Sequence, residues 1–107
     1  MHVRLETHEI VDWASFHEVC RRAFGFPEFY GRNLDAWIDC LTYARDGDGM
    51  SRFHLGPDER LEVEVAEGQA FRARLPEVAA ALEAGAAAVN QRQAARGEPP
   101  VLALTWG

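Results

Sequence analysis

Residues 25–43 read Gly-Phe-Pro-Glu-Phe-Tyr-Gly-Arg-Asn-Leu-Asp-Ala-Trp-Ile-Asp-Cys-Leu-Thr-Tyr, and this stretch decides the arrangement of the chain. Pro27 and Gly31 interrupt any regular periodicity, so its first part is predicted to be an irregular, aromatic-rich loop, here called the aromatic loop (residues 25–32). Asn33 is a good helix N-cap, and apolar residues follow it at i, i+3, i+4 and i+7. We expect a helix that turns these four towards the core: Leu34, Trp37, Ile38 and Leu41.

A second stripe of the same helix carries Asp35, Asp39 and Thr42, about 120° around from the apolar one. We expect it to face outward or along the rim. Two carboxylates at i and i+4 repel each other by a few tenths of a kcal/mol. The helix dipole favours Asp35, and we expect it to contact Arg32, three residues before it, whereas Asp39 has no basic residue at i±4. The two carboxylates are called the acidic stripe below.

The neighbours of the acidic stripe decide between two interpretations. Acidic residues on a surface helix are most often a solvated face. Here, however, Phe29, Tyr30, Gly31 and Asn33 directly precede the acids. Aromatic side chains beside unpaired carboxylates at a junction of loop and helix are typical of a surface that docks onto a cationic cleft.

The run from Phe26 to Thr42 closely resembles the core motif of the barstar family, the intracellular inhibitors of the ribonuclease barnase. The shared pattern is ungapped: an aromatic pair, a glycine, Asn-Leu-Asp-Ala and Asp-Cys-Leu-Thr. The resemblance covers the whole chain more loosely, with a loop insertion at about residues 45–58. It implies a single barstar-like domain over residues 1–107, of the α/β class, with a small three-stranded parallel sheet and helices packed on it.

Four departures from the family pattern bear on which enzyme is bound. The pair at Trp37 and Ile38 reverses the family's order, Arg32 replaces an acid, and residues 43–44 stand where the family has Gly-Trp. Near Arg92, the last helix of the family carries an acidic contact, so the charge is reversed there. The insertion borders the same face.

The chain in order predicts strand, two helices, strand, helices, strand. Crossover connections of this kind imply parallel strands. The last strand is apolar on nearly every residue, so we expect it to be central or covered on both faces. Phe53, His54 and Leu55 are expected to pin the polar loop before the middle strand onto the body. The predicted elements are strands at 2–7, 61–65 and 101–106, helices at about 13–24 and 76–95, a helix that begins after Asn33, and a helical turn at 69–74.

Composition limits the function classes. At 107 residues we expect one domain, and without a long apolar run or a signal-peptide core we place it in the cytoplasm, away from membranes. The net charge of −6 argues against direct binding to nucleic acid, which needs a basic surface. The two cysteines, Cys20 and Cys40, lie in predicted helices and are expected to be reduced thiols.

The sequence offers no catalytic constellation, so we expect no enzyme and no cofactor. The four histidines lack metal-ligand spacing. Residues 46–49 read Asp-Gly-Asp-Gly, but the twelve-residue calcium-loop pattern is absent, and no metal is expected.

We therefore hypothesise a protein inhibitor that blocks the basic RNA-binding cleft of a small ribonuclease by substrate mimicry. The partner is expected to be barnase-like or guanyl-specific, and the inhibitor to act as a monomer. Asp39 would enter the phosphate-binding centre with Asp35 in support. The alternative is an acidic immunity or interaction module that neutralises a toxin other than a ribonuclease. The residues expected at the partner interface are Phe29, Tyr30, Gly31, Asn33, Asp35, Asp39, Thr42 and Tyr43.

Overall fold

A computed structural model describes residues 1–46 and 50–107 of the chain. Its three strands form one sheet in the order β1, β2, β3, and both neighbouring pairs are parallel. This confirms the predicted α/β fold with a small three-stranded parallel sheet. The strands are β1 (His2–Leu5), β2 (Leu61–Val65) and β3 (Leu102–Trp106).

Four helices connect the strands, together with a short 3-10 turn at Thr7–Glu9. In the ranges 1–46 and 50–107, no helix has the length and apolar character needed to cross a bilayer. The bounds of the helices are close to those that the sequence pattern predicts, and the bounds of α4 are the same as predicted. The helices are α1 (Trp13–Phe24), α2 (Leu34–Thr42), α3 (Gly68–Arg74) and α4 (Pro76–Ala95).

The sheet has one buried face and one open face. Val3, Val63 and Leu104 are aligned across the three strands on the buried face. On the opposite face, Glu64 of β2 is exposed between its two neighbouring strands. The alternation of apolar and acidic residues in β2 therefore predicts its two environments correctly.

The expectation for β3 is wrong, because β3 is an edge strand and β2 is the central one. The apolar run of β3 reflects local cover rather than a central position. Leu102 is buried, whereas Thr105 on the open face is exposed. Trp106 is half-buried under the guanidinium of Arg72, whose Cζ lies 3.9 Å from the ring centroid.

The first long helix begins and ends, and the second begins, at the residues that the sequence indicates. Asp12 accepts the backbone N–H of Ser15 at 2.8 Å, and the Ser15 hydroxyl in return accepts the backbone N–H of Asp12, a reciprocal cap for α1. Gly25 ends that helix in the left-handed region, at φ 67°. Asn33 caps α2 by accepting the N–H of Ala36 at 2.8 Å.

The central contact between helices is that of Trp37 with α4. The Trp37 indole is completely buried, and Gly85 provides the space for it, since a Cβ on Gly85 would lie 3.0 Å from Cζ3 of the ring. Leu41 is also fully buried, but Leu34 and Ile38 are only half-buried at the edge of the core. The apolar stripe therefore faces the core as predicted, and Trp37 and Leu41 are its most deeply buried residues.

The loop between α2 and β2 is tied to the body at several points. The guanidinium of Arg45 donates to the carbonyl oxygens of Glu59, Pro99 and Pro100 at 2.7 to 2.9 Å. Phe53 and Leu55 are buried as predicted, whereas His54 between them is exposed and does not help to pin the loop. The part of the predicted insertion and of the excluded calcium motif at residues 47–49 lies outside the described residues.

We expect Gly85→Ala to destabilise the protein. Alanine gains about 1 kcal/mol over glycine in a helix, but the methyl group overpacks the immobile Trp37 ring, which costs about 1–3 kcal/mol. Urea unfolding monitored by tryptophan fluorescence should show a net loss of about 1 kcal/mol. The matched control is Ala87→Gly on the exposed side of α4, which changes helix propensity alone. A Gly85→Ala protein at least as stable as the wild type would contradict this account.

Candidate partner-binding face

The acidic stripe lies on the exposed side of α2, as predicted. The side chain of Asp39 is 53% exposed, and Asp35 is also exposed. Tyr43, one helical turn beyond Asp39, is 39% exposed. Burial of the apolar stripe against α4 fixes this orientation, because the two stripes lie on different sides of one rigid helix.

Thr42 does not share this exposure, so the expectation that it faces outward is wrong. Its residue surface is only 5% exposed. The hydroxyl donates to the carbonyl oxygen of Ile38 at 2.6 Å, and the Thr42 carbonyl accepts from Nε2 of Gln93 at 2.7 Å. The last turn of α4 covers this end of α2, which periodicity within α2 alone cannot indicate.

Asp39 has a counter-ion that the sequence analysis did not anticipate. Nη1 of Arg92, on α4, donates to Oδ1 of Asp39 at 2.7 Å. Just after the end of α4, Arg96 reaches Oδ1 of Asp46 at 3.5 Å. Two arginines at the C-terminal end of α4 therefore lie beside carboxylates in α2 and just after it, and both pairs are solvent-exposed.

Asp35, by contrast, has no ion pair among the described residues. The suggested contact with Arg32 is wrong, because Nη2 of Arg32 donates to Oε1 of Glu18 on α1 at 2.9 Å. Arg32 has a left-handed backbone, with φ 53°, which directs the chain into the Asn33 cap. The exposed carboxylate of Asp35 remains available to a partner.

The aromatic loop is fixed from below by Tyr30. Tyr30 is 5% exposed, and its hydroxyl lies 2.6 Å from Nδ1 of the buried His17 on α1. Its ring packs against Phe26, with centroids 4.7 Å apart, and Phe26 stacks on Phe24. Tyr30 is thus an internal support rather than an exposed aromatic residue.

Phe29, next to Tyr30, has the opposite environment. It is 78% exposed, the highest value among the large hydrophobic residues of the described chain. Gly31 and Asn33 are also exposed, and the Asn33 amide donates to the Gly31 carbonyl at 3.3 Å. The exposed Phe29 ring is therefore accessible to a partner, beside the exposed backbone of Gly31.

Glu18 links the aromatic loop to α1. It accepts hydrogen bonds from Arg21 and Arg32, and these two guanidinium groups lower the pKa of its carboxyl to about 2. Arg22 lies 3.4 Å from the same carboxylate. Because Glu18 stays ionised down to low pH, its link to the loop persists throughout the neutral range.

The described residues contain no group of three or more His, Cys, Asp or Glu that could hold a metal ion. Both cysteines are buried thiols, and burial raises the pKa of the Cys20 thiol to about 12. Neither is a nucleophile in the folded protein.

The chain matches a known protein family over nearly its whole length. The family model described as Barstar (barnase inhibitor) matches residues 1–105, essentially the whole chain. No curated protein matches the chain. The family match confirms the resemblance carried by residues 26–42.

The buried His17 should make stability depend on pH. Burial, together with the charge of Arg32, lowers the pKa of His17 below its usual 6.5. The unfolded chain therefore binds a proton more readily than the folded one, so stability should fall as pH drops below about 6.5. His17→Asn should be less stable than the wild type at pH 7, with a difference that narrows towards pH 5.

Urea unfolding of both proteins at a series of pH values measures this difference. The control is Tyr30→Phe, which removes the hydroxyl partner but keeps the imidazole buried. It should lose about 1 kcal/mol at pH 7 and retain a loss of stability on acidification. Parallel pH profiles for wild type and His17→Asn would show that His17 is not responsible.

Proposed function

The chain belongs to the barstar family, and on this basis we propose that it is a protein inhibitor of a small microbial ribonuclease. The observation that supports the proposal most directly is the exposed acidic stripe of α2, next to a well-anchored loop with an exposed phenylalanine. Family members are inhibitors and not enzymes. The partner is accordingly a protein, and the function is binding.

The proposed mechanism is occupation of the RNA-binding cleft. A ribonuclease holds RNA phosphates with cationic side chains, so carboxylates on a complementary surface can take their place. We assign Asp39 to the phosphate-binding centre and Asp35 to a supporting contact beside it. Because α2 is held rigidly by Trp37, the two carboxylates meet the cleft at fixed spacing, which limits the entropy lost on binding.

The remaining predicted site residues divide into contact and support. Phe29 and Tyr43 are exposed enough to pack on the rim of the cleft. Gly31 and Asn33 are exposed beside them, with Asn33 also capping α2. Tyr30 and Thr42 are buried, so we assign them a positioning role. Tyr30 supports the aromatic loop, and Thr42 supports the end of α2.

The proposed inhibitor is a monomeric single domain that does not itself bind nucleic acid, consistent with its net charge of −6. The same charge favours fast association with a basic partner at low salt. The association rate should therefore decrease as ionic strength rises.

Titration calorimetry against a panel of small guanyl-specific ribonucleases, including barnase, tests the proposal. RNA-cleavage assays on the same panel report inhibition. Stoichiometric binding that abolishes cleavage supports the proposal. Absence of binding and inhibition across the panel would refute it in this form, and would favour a toxin of another class as the partner.

For a ribonuclease that the protein inhibits, we expect Asp39→Ala to weaken binding by about 30-fold or more. This is the effect of losing a hot-spot residue worth about 2 kcal/mol. Asp35→Ala and the rim change Asp46→Ala should have smaller effects. Glu64→Gln on the open face of the sheet is a control for net charge, and it should leave the dissociation constant almost unchanged. Equal, small losses for all four variants would contradict the assignment of Asp39 to the centre of the cleft.

A further inference from the structure

We propose that Arg92 is a specificity-determining residue of the inhibitor. It lowers the affinity for ribonuclease clefts that offer only cations to the acidic stripe, and it favours a cleft that also supplies a carboxylate. This inference rests on the proposed function and goes beyond it, since it concerns which ribonucleases are accepted.

Arg92 contacts Asp39 directly at the protein surface. Nη1 of Arg92 lies 2.7 Å from Oδ1 of Asp39, and the two side chains are 48% and 53% exposed. Its other hydrogen bond among the described residues is to the Thr42 hydroxyl, at 3.4 Å. The positive charge therefore lies at the surface, directly beside the carboxylate proposed to enter the cleft.

A ribonuclease that docks on Asp39 also comes close to Arg92. Cations of a ribonuclease cleft that approach Asp39 also approach the guanidinium of Arg92. Water leaves the interface on docking, so repulsion between like charges there is stronger than at a free surface. Arg92 also occupies one oxygen of Asp39, so the incoming cations compete with it for that carboxylate.

The neighbouring Arg96 differs from Arg92 in the number of its carboxylate partners. Arg96 lies near two carboxylates, Asp46 at 3.5 Å and Glu98 at 3.8 Å, so it keeps a counter-ion if one of them is engaged elsewhere. Arg92 has Asp39 as its single carboxylate partner within the described part of the chain. Once a partner takes Asp39, Arg92 is left as an uncompensated cation at the edge of the interface.

A partner of suitable chemistry removes this penalty. A ribonuclease with a carboxylate at the edge of its cleft can pair with Arg92 while its cations pair with Asp39. The Asp39 and Arg92 pair then acts as a two-charge recognition element. A cleft with cations on both sides lacks this complement.

The test measures binding of barnase to the wild type, Arg92→Gln and Arg96→Gln by titration calorimetry. Loss of one exposed ion pair costs little stability, and circular dichroism verifies that each variant is folded. Arg96→Gln removes the same charge four residues away, just after the end of the same helix, so it controls for net charge. Arg92→Lys keeps the charge and should bind as the wild type does.

We expect Arg92→Gln to bind barnase at least about tenfold more tightly than the wild type, and Arg96→Gln to differ from it by less than about threefold. In an Asp39→Asn background, the gain from Arg92→Gln should be smaller, because competition for the carboxylate is gone and only the repulsion remains. For any panel ribonuclease that the wild type binds more tightly than barnase, Arg92→Gln should weaken binding.

Unchanged or weaker binding of barnase by Arg92→Gln overturns the inference, including the case in which neither protein binds. An equal gain for Arg96→Gln also overturns it, because net charge would then explain the effect. These outcomes are independent of the proposed function, which fails only if the wild type inhibits no ribonuclease of the panel.

Discussion

The packing of Trp37 against Gly85 is the contact on which the rest of the structure depends. It brings α2 close to α4 and fixes the rotation of α2 about its own axis. That rotation keeps Asp35 and Asp39 on the outside. The same close approach brings Arg92 within reach of Asp39. One aromatic side chain in a glycine-sized space therefore determines both the position of the acids and their immediate electrostatic environment.

A second set of contacts prepares the loop that leads into α2. The hydrogen bond between His17 and Tyr30 and the ion pair between Glu18 and Arg32 both join this loop to α1. His17 and Glu18 both lie in the middle of α1, so the loop is attached to a rigid part of that helix. The exposed Phe29 is thus presented by a loop that has little freedom left to lose, and such preorganisation favours tight binding.

Local patterns predicted the elements that depend on local physics. The caps at Asp12 and Asn33, the alternation in β2 and the bounds of α4 all follow from residues close together in the chain. What could not be predicted depends on distant residues. The burial of Thr42 and the counter-ion of Asp39 both come from α4, about 50 residues away. The edge position of β3 depends on strand order, which its own composition does not encode.

The two buried cysteines give this protein an internal reporter of its own motions. Cys20 lies on α1 and Cys40 on α2, so their thiols are sealed where these helices pack into the core. An alkylating reagent can reach them only when the core opens, and the folded state protects them in the way that a hydrogen bond protects an amide from exchange. The rate of alkylation in native buffer thus records how often α1 and α2 separate from the core.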